Sequence, residues 1–417
     1  MFWPLEVILR RVVVSGTLEV TDATGRAYRF GDGSGSDVAI RFADGAAERA
    51  VAWDPEFALG ETYMQGRLIV EQGSIYDLVE LLMRNTSAQT PPGWLRWLDV
   101  LRRYGRRLQQ FNPRGRARRN AAYHYNIDGA IYELFLDPDR QYSCAYFQPG
   151  ADLAAAQHAK KVHLASKLAL APGQRVLDVG SGWGGLALWL ATHTGCHVKG
   201  VTLSSEQLAV SQERARKQGL ASAVEFALED YREVAGTFDR IVSVGMFEHV
   251  GVNHYRAFFR RLNELLDADG VAVLHSIGRS DGPGYTNPFI AKYIFPGGYI
   301  PALSEVLPVI ERSGLIVSDI EILRLHYAET LKAWRERFIS RRDEAVARKG
   351  EEFCRMWEFY LAGSEAAFRY QGLIVFQIQM VKRIDALPIT RDYMFEAERR
   401  LQSTAAGPSE PARLAGE

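Results

Sequence analysis

In the first ninety residues apolar and polar positions alternate in short runs, Thr17-Leu18-Glu19-Val20, Tyr28-Arg29-Phe30 and Val38-Ala39-Ile40-Arg41-Phe42. A period of two places one face of each run in a core, and Gly/Asp turns separate them, so strands are expected. Pro55 to Gly66 and Ile75 to Met83 carry helical spacing, and the apolar opening MFWPLEVILRRVVVSG suits a first helix or strand. Residues 1–95 thus read as a small α+β domain. From Leu153 to Leu170 the helical period returns and Pro172-Gly173 ends it. Strand-like runs then alternate with helical ones, at 175–179, 197–201, 223–227, 238–244, 270–276, 317–325 and 373–380. This alternation predicts a mostly parallel, doubly wound sheet, because parallel neighbours need a crossover helix between them. Residues 280–302 (GPGYTNPFIAKYIFPGGYIP within them) are rich in Gly, Pro and aromatics, and 327–370 is long, amphipathic and helical. Both are expected to form a lid over an apolar pocket. The second domain is placed at 126–400, with a linker at 96–125 and a disordered Pro/Ala/Gly-rich tail at 401–417.

Composition narrows the picture modestly. The chain has 417 residues, with 50 Lys+Arg against 50 Asp+Glu, so it has no global attraction for a polyanion. Nucleic acid is not expected. Cys144, Cys196 and Cys354 form no CxxC pair, which argues against zinc or a disulfide framework and suits a reducing compartment. No run approaches the ~20 apolar residues that span a bilayer. The expected location is therefore cytoplasmic, free or peripheral to the inner face of the membrane. One local feature stands out, the run Arg102, Arg103, Arg106, Arg107, Arg114, Arg116, Arg118 and Arg119 with no acid among them. It reads either as a solvated linker or as a contact with an anionic membrane surface, worth ~1 kcal/mol per basic residue near the lipid.

The chemistry begins at Arg175-Val176-Leu177-Asp178-Val179-Gly180-Ser181-Gly182-Trp183-Gly184-Gly185. A β-branched run ends at an aspartate, and glycines follow at alternate positions before a helical pattern. That is a strand, a tight turn and a helix N-terminus, the place where an α/β sheet holds a nucleotide-like ligand. The spacing is DxGxGxG and not GxGxxG, and the next strand ends in Thr202-Leu203-Ser204-Ser205-Glu206-Gln207 rather than in a ribose-gripping acid. With Phe238 to Val244 and then Gly245-Met246-Phe247-Glu248-His249-Val250, this reads as an S-adenosylmethionine (SAM) site. A turn kept for packing alone, or one for another nucleotide, is the bland alternative. The fold expected is α/β, a Rossmann-like class I SAM-dependent methyltransferase domain behind a small α+β domain.

Several segments resemble the cyclopropane-fatty-acid-phospholipid synthase family. They are Tyr142-Ser143-Cys144-Ala145-Tyr146-Phe147, Leu177 to Gly185, Gly200 to Ser204, Val244 to Gly251, His275-Ser276-Ile277-Gly278 and His326 to Leu331. Gly60 to Met64 and Tyr360 to Gly363 extend the resemblance to nearly the whole chain. It implies transfer of a methylene from SAM to a cis double bond in a membrane phospholipid, and a homodimer. It implies a bicarbonate site at Cys144, Glu248, His275, Tyr327 and the backbone of Ile277. It places Tyr142 and Ser143 at the methionine end of SAM and Gly180, Gly182 and Gly184 beneath it. Thr202 and Gln207 fall near the ribose, Asp230 and Tyr231 near the adenine, and Asp178 orders the loop and the SAM amine. Phe147 stands where the family leads us to expect Trp.

Such residues meet a definite chemical need. An isolated alkene has no proton to remove, so the sulfonium must be held in line with the π bond. Attack leaves a carbocation, and ring closure needs a small base within reach. Tyr146, Phe147, Phe247 and Tyr293 are expected to steady the cation through their ring faces, at ~2 kcal/mol when desolvated. Each residue also has a bland role: Glu248 as a helix cap, His275 and Tyr327 as core, Cys144 as a small buried residue. His249 and His326 are expected to point away and be structural. The alternative product is a methyl or methylene branch, and a lipid carrier on an inactive SAM fold is the reading from another class.

Overall fold

The computed structural model describes residues 1–86 apart from Ser36, scattered positions between 93 and 110, and residues 129–405. The N-terminal part opens with helix α1 (Trp3–Val12), with Pro4 in its first turn. Strands β1 (Thr17–Thr21), β2 (Ala27–Phe30), β3 (Asp37–Phe42) and β4 (Leu68–Gln72) form a mixed sheet in the order β2-β1-β3-β4. In β3 the inward positions Val38, Ile40 and Phe42 are buried and their neighbours are not, as the alternation requires. Helices α2 (Gly45–Trp53), α3 (Pro55–Met64) and α4 (Ile75–Thr86) cover the sheet. Asp44 caps α2 through the amides of Ala46 and Ala47, both at 2.9 Å, and Asp54 caps α3 through Phe57. Helix α2 and strand β4 are additions to the elements expected from pattern.

The second part begins with α5 (Gly129–Phe135) and α6 (Leu153–Lys167). Strands β5 (Arg175–Val179), β6 (His197–Thr202), β7 (Val224–Leu228), β8 (Phe238–Val244) and β9 (Leu266–Arg279) alternate with α7 (Gly185–Thr194), α8 (Ser205–Lys217) and α9 (Tyr255–Leu265). After α10 (Leu303–Ile310), strand β10 (Ile316–Leu323) and the late strand β11 (Leu373–Val381) complete a seven-stranded sheet ordered β10-β11-β9-β8-β5-β6-β7. The first five strands pair in parallel, and β11 inserts antiparallel to both β9 and β10. Helices α6 and α7 close one face of the sheet, and α9 and α10 close the other.

The stretch 327–370 folds as three helices, α11 (His326–Ser340), α12 (Arg342–Lys349) and α13 (Glu351–Tyr370), broken at Arg341 and Gly350. Ala362 and Ala366 of α13 pack into the N-terminal core. Tyr63 donates to Glu358 Oε2 of the same helix at 2.8 Å. The aromatic insertion seats on α3: Tyr293 donates to Glu61 at 2.6 Å, and its ring stacks on Phe57 at 6.3 Å. Gly60 allows this approach, because a Cβ there would lie 2.6 Å from both Phe289 and Phe359.

The tail expected from 401 does not begin there: helix α14 (Asp392–Ala405) runs through that point, and Leu401 is buried against α6 and α7. Residues 406–417 lie outside the described residues, as does the arginine run except Arg102. Arg102 is engaged within the protein: it donates to Asp54 at 2.6 Å and Glu56 at 2.8 Å and lies over the Tyr285 ring. No helix among the described residues is long and apolar enough to cross a membrane.

Candidate active site

At the carboxyl end of β5 the chain turns through Gly180, Gly182 and Gly184 with φ of 88°, 53° and 83°. These left-handed conformations suit glycine, but the three positions differ. A Cβ on Gly182 meets nothing within 4 Å, so its open side faces the cleft. A Cβ on Gly184 would lie 2.7 Å from Phe226 and 2.8 Å from Ser211. Gly184 therefore lets α7 pack on its neighbours and does not line the cleft, a correction to its expected place beneath the ligand.

The cleft is lined by Tyr142, Ser143, Asp178, Gly180, Gly182, Thr202, Gln207, Asp230 and Tyr231, together with Trp183, His249 and others. Thr202 Oγ1 donates to Gln207 Oε1 at 2.9 Å, which fixes the rim at the end of β6. Asp230 holds the Arg232 guanidinium, with Nε at 2.8 Å, and that guanidinium lies over the Tyr231 ring. Asp178 is 2 % exposed, and its Oδ2 has no hydrogen-bond partner. Burial pushes its carboxyl up to about 7, with Lys160 acting against the rise. The Ser181 hydroxyl is equally bare. Buried polar atoms are ordinarily satisfied, so these two mark a place for a polar ligand, and a carboxylate facing the cleft suits an amino group.

A strap from Asp137 to Phe147 borders the cleft through Arg140, Gln141, Tyr142 and Ser143. Arg140 sits at φ 56° in its turn, and Gln141 N donates to Asp137 Oδ1 at 2.8 Å. Helix α6 fastens the strap from beneath: Lys160 Nζ donates to Gln141 Oε1 at 2.7 Å and Ser143 Oγ at 2.8 Å, and Gln157 donates to the Ser143 carbonyl. The Tyr142 hydroxyl meets that of Tyr360 at 2.9 Å, and its ring stacks on Trp334.

The second group of residues lies beside this strap. Glu248, in the short turn after β8, accepts from Ile277 N at 2.6 Å through Oε1, whereas Oε2 has no partner. Burial pushes its carboxyl up to about 7. Cys144, Tyr327 and Ile277 pack in a single apolar cluster with Trp334, Trp357 and Phe368. Burial raises the Cys144 thiol well above its ordinary range, so it stays protonated. His275 lies two residues before Ile277 on β9 and shares its side of the strand. It is neutral, because burial drives its pKa far down, and Nδ1 faces the Gln377 amide nitrogen at 3.1 Å. With that amide donating, the ring hydrogen sits on Nε2.

Other aromatic and histidine expectations divide. Phe247 is fully buried among Tyr255, Phe258 and Phe259, on the α9 side of the sheet, and cannot face a substrate. Tyr146 is clamped between the rings of His163 and His326 at 4.2 and 4.7 Å. His326 Nδ1 accepts from Phe147 N at 2.9 Å. His249, expected to point away, lines the cleft, and burial holds it neutral with a pKa of about 4. Lys160 and Gln377 escaped the sequence reading because each is an ordinary residue type whose partners lie in another element, Gln141 and Ser143 for the one and His275 for the other. Among the described residues no group of three or more His, Cys, Asp or Glu could hold a metal ion.

The sheet order, the glycine turn and the bare acid at the cleft define a class I SAM-dependent methyltransferase. The chain belongs to the mycolic acid cyclopropane synthetase family, whose description matches residues 113–378; a domain of unknown function matches residues 6–90. A cyclopropane-fatty-acyl-phospholipid synthase of Escherichia coli K12 is 36% identical over 337 residues, covering 81% of this chain and 86% of that one. The tuberculostearic acid methyltransferase UfaA1 of Mycobacterium tuberculosis is 35% identical over 399 residues, covering 90% of each chain. Among crystal structures, mycolic acid cyclopropane synthase CmaA1 complexed with SAH and CTAB superimposes with a TM-score of 0.61 at 33% identity, covering 65% of this chain and 99% of that one.

Proposed function

We propose that this protein transfers a methylene group from SAM to the cis double bond of an unsaturated acyl chain in a membrane phospholipid, closing a cyclopropane ring. The observation that carries the reading is the Glu248 carboxyl. It is buried beside the SAM cleft, one oxygen is bare, and an aromatic-walled cluster adjoins it. SAM's amino group would face Asp178, and its ribose the Thr202–Gln207 rim. The strap residues Tyr142 and Ser143 would hold the methionine end, so that the sulfonium is presented toward Cys144 and Tyr327.

The reacting alkene is apolar and would take its place against the buried cluster of Tyr327, Trp334, Phe368 and Ile277, away from water. Phe147 and Tyr293, packed on the same cluster, are the rings left to face the cation. Glu248 Oε2 is an acceptor, and His275 Nε2–H and Ile277 N–H are donors, a set that fits an ion bearing both a hydroxyl and carboxylate oxygens. Bicarbonate held by these groups with Cys144 and Tyr327 would supply a base for the last proton. Ile277 N–H is engaged by Glu248 Oε1, so an ion there would share or displace that bond.

The E. coli relative's name supports the phospholipid and the ring; the UfaA1 name, a methyltransferase on a chain matched over 90% of its length, supports the methyl arm of the alternative, a methyl or methylene branch. We propose that the chain works at the anionic inner face of the membrane, a reading that the eight arginines of the sequence between 102 and 119 support by their charge alone. Incubation with SAM and cis-unsaturated phospholipid vesicles, followed by mass spectrometry of the released fatty acids, tests the reading. The expected product is heavier by one CH2, with the olefin lost to a ring. Glu248→Gln is expected to cut conversion by at least about 100-fold while SAM affinity holds. Undiminished conversion in that variant would remove Glu248 from the chemistry.

A further inference from the structure

The methionine end of SAM carries an ammonium and a carboxylate on one carbon, and only the ammonium has so far been given a charged partner, Asp178. A carboxylate taken out of water needs donors or a cation of its own. Two arginines line the cleft, Arg140 and Arg232. Arg232 is spent at the Asp230–Tyr231 end: Nε and Nη2 donate to the two oxygens of Asp230 at 2.8 and 2.5 Å. Other cations near the strap are engaged with the strap itself, Lys160 with Gln141 and Ser143, and Lys161 and Arg214 with Asp139.

Arg140 stands at the glycine turn. Its N–H donates to the Asp137 carbonyl at 2.8 Å, in a left-handed conformation (φ 56°) that few residues other than glycine adopt. Its neighbours Asp139 and Gln141 press on the first residue of α7, where a Cβ on Gly185 would lie 2.5 Å from the Asp139 carboxylate and 2.3 Å from the Gln141 amide nitrogen. The Arg140 guanidinium lies over the ring of Trp183 in the glycine turn, 5.5 Å from its centre, within reach of cation–π attraction. Nη2 is held by the exposed Glu133, whereas Nε and Nη1 meet no acceptor among the described residues. The side chain is 28 % exposed and borders the cleft.

We infer that Arg140 receives the carboxylate of SAM and so selects the intact amino-acid end of the cofactor. The inference rests on the reading above that SAM lies in this cleft with its amine toward Asp178. A guanidinium presents planar N–H donors that match a carboxylate, and the bare Ser181 hydroxyl adds a donor on the same turn. Opposite charges on a single carbon then sit between Asp178 and Arg140, which orients the methionine chain and the sulfonium at its far end.

Equilibrium dialysis of the full-length protein at neutral pH compares SAM with decarboxylated SAM, which keeps the sulfonium, amine, ribose and adenine and lacks only the carboxylate. Wild type is expected to hold SAM about tenfold more tightly, the lower end for a charge-assisted bond because the guanidinium is partly exposed. In Arg140→Gln the affinity for SAM falls by about the same tenfold and that for decarboxylated SAM stays, so the preference vanishes. Arg140→Lys, which keeps the charge, retains part of it. Calorimetric melting shows that the Gln variant is folded, and Arg140→Met takes its place if it is not. An equal loss for both ligands in the folded neutral variant, a preference that survives there, or a wild type without preference overturns the inference. A wild type that binds neither ligand removes the cofactor assignment, and the inference with it.

Discussion

Asp178 and Glu248 are two carboxyls that burial pushes up to about 7, against about 4 in an unfolded chain. Folding therefore favours their protonated forms. The stability they lend is full below about pH 4 and is lost as pH rises through about 7. Asp178→Asn cannot titrate, so calorimetry of the unliganded variant at about pH 8 is expected to give a higher melting temperature than wild type. Its SAM affinity should fall at least tenfold, because a charge-assisted hydrogen bond worth about 1.5–3 kcal/mol is gone. A lower melting temperature would mean that the acid carries a structural bond. For Glu248 the sign is the same, but the readout is turnover. If its carboxylate form orients the base, conversion rises as pH climbs through about 7, and a flat profile would contradict that role.

Elements turn these residues into a site, and the glycine turn separates two kinds of requirement. Gly184 has φ 83°, with Phe226 and Ser211 crowding its missing Cβ, whereas Gly182 opens onto the cleft. Gly184→Ala is expected to lower stability by about 1–3 kcal/mol through crowding and backbone strain. Gly182→Ala should leave the melting temperature closer to wild type and weaken SAM binding, since its new methyl projects where the ligand passes. Urea unfolding and SAM titration of the two variants separate these outcomes, and reversed patterns would refute the assignment. The strap shows how an element with few backbone ladder bonds is held: α6 supplies Gln157, Lys160 and Lys161 as its fasteners.

Across the whole molecule α13 does the joining. One side of it faces the aromatic cluster through Trp357 and Tyr360, and Ala362 and Ala366 enter the N-terminal core. Small side chains let the helix sit close to that core, so Ala366→Asp would bury a carboxylate without a partner, at a cost of several kcal/mol. Urea unfolding of this variant is expected to separate into two steps, with the N-terminal unit released first. A single wild-type transition would show that α13 does not couple the parts. The aromatic insertion makes a second bridge through Tyr293 and Glu61, so the wall beside the substrate cluster is braced from the N-terminal unit.

Local pattern fixed the alternating strands and helices, the turn after β5 and the residue types around it. Period, glycine spacing and capping chemistry act over a few residues and can be read from the chain. The pairing of Glu248 with Ile277, the antiparallel seat of β11 between β9 and β10, and the place of Lys160 under the strap depend on segments tens to hundreds of residues apart. Packing also reassigned particular residues: Phe247 went into the core behind the sheet, His249 into the cleft and Gly184 into a helix contact. A side chain's direction on a short irregular turn has no period to announce it, so sequence determined the chemical inventory of this protein and tertiary contact decided which members face the substrate.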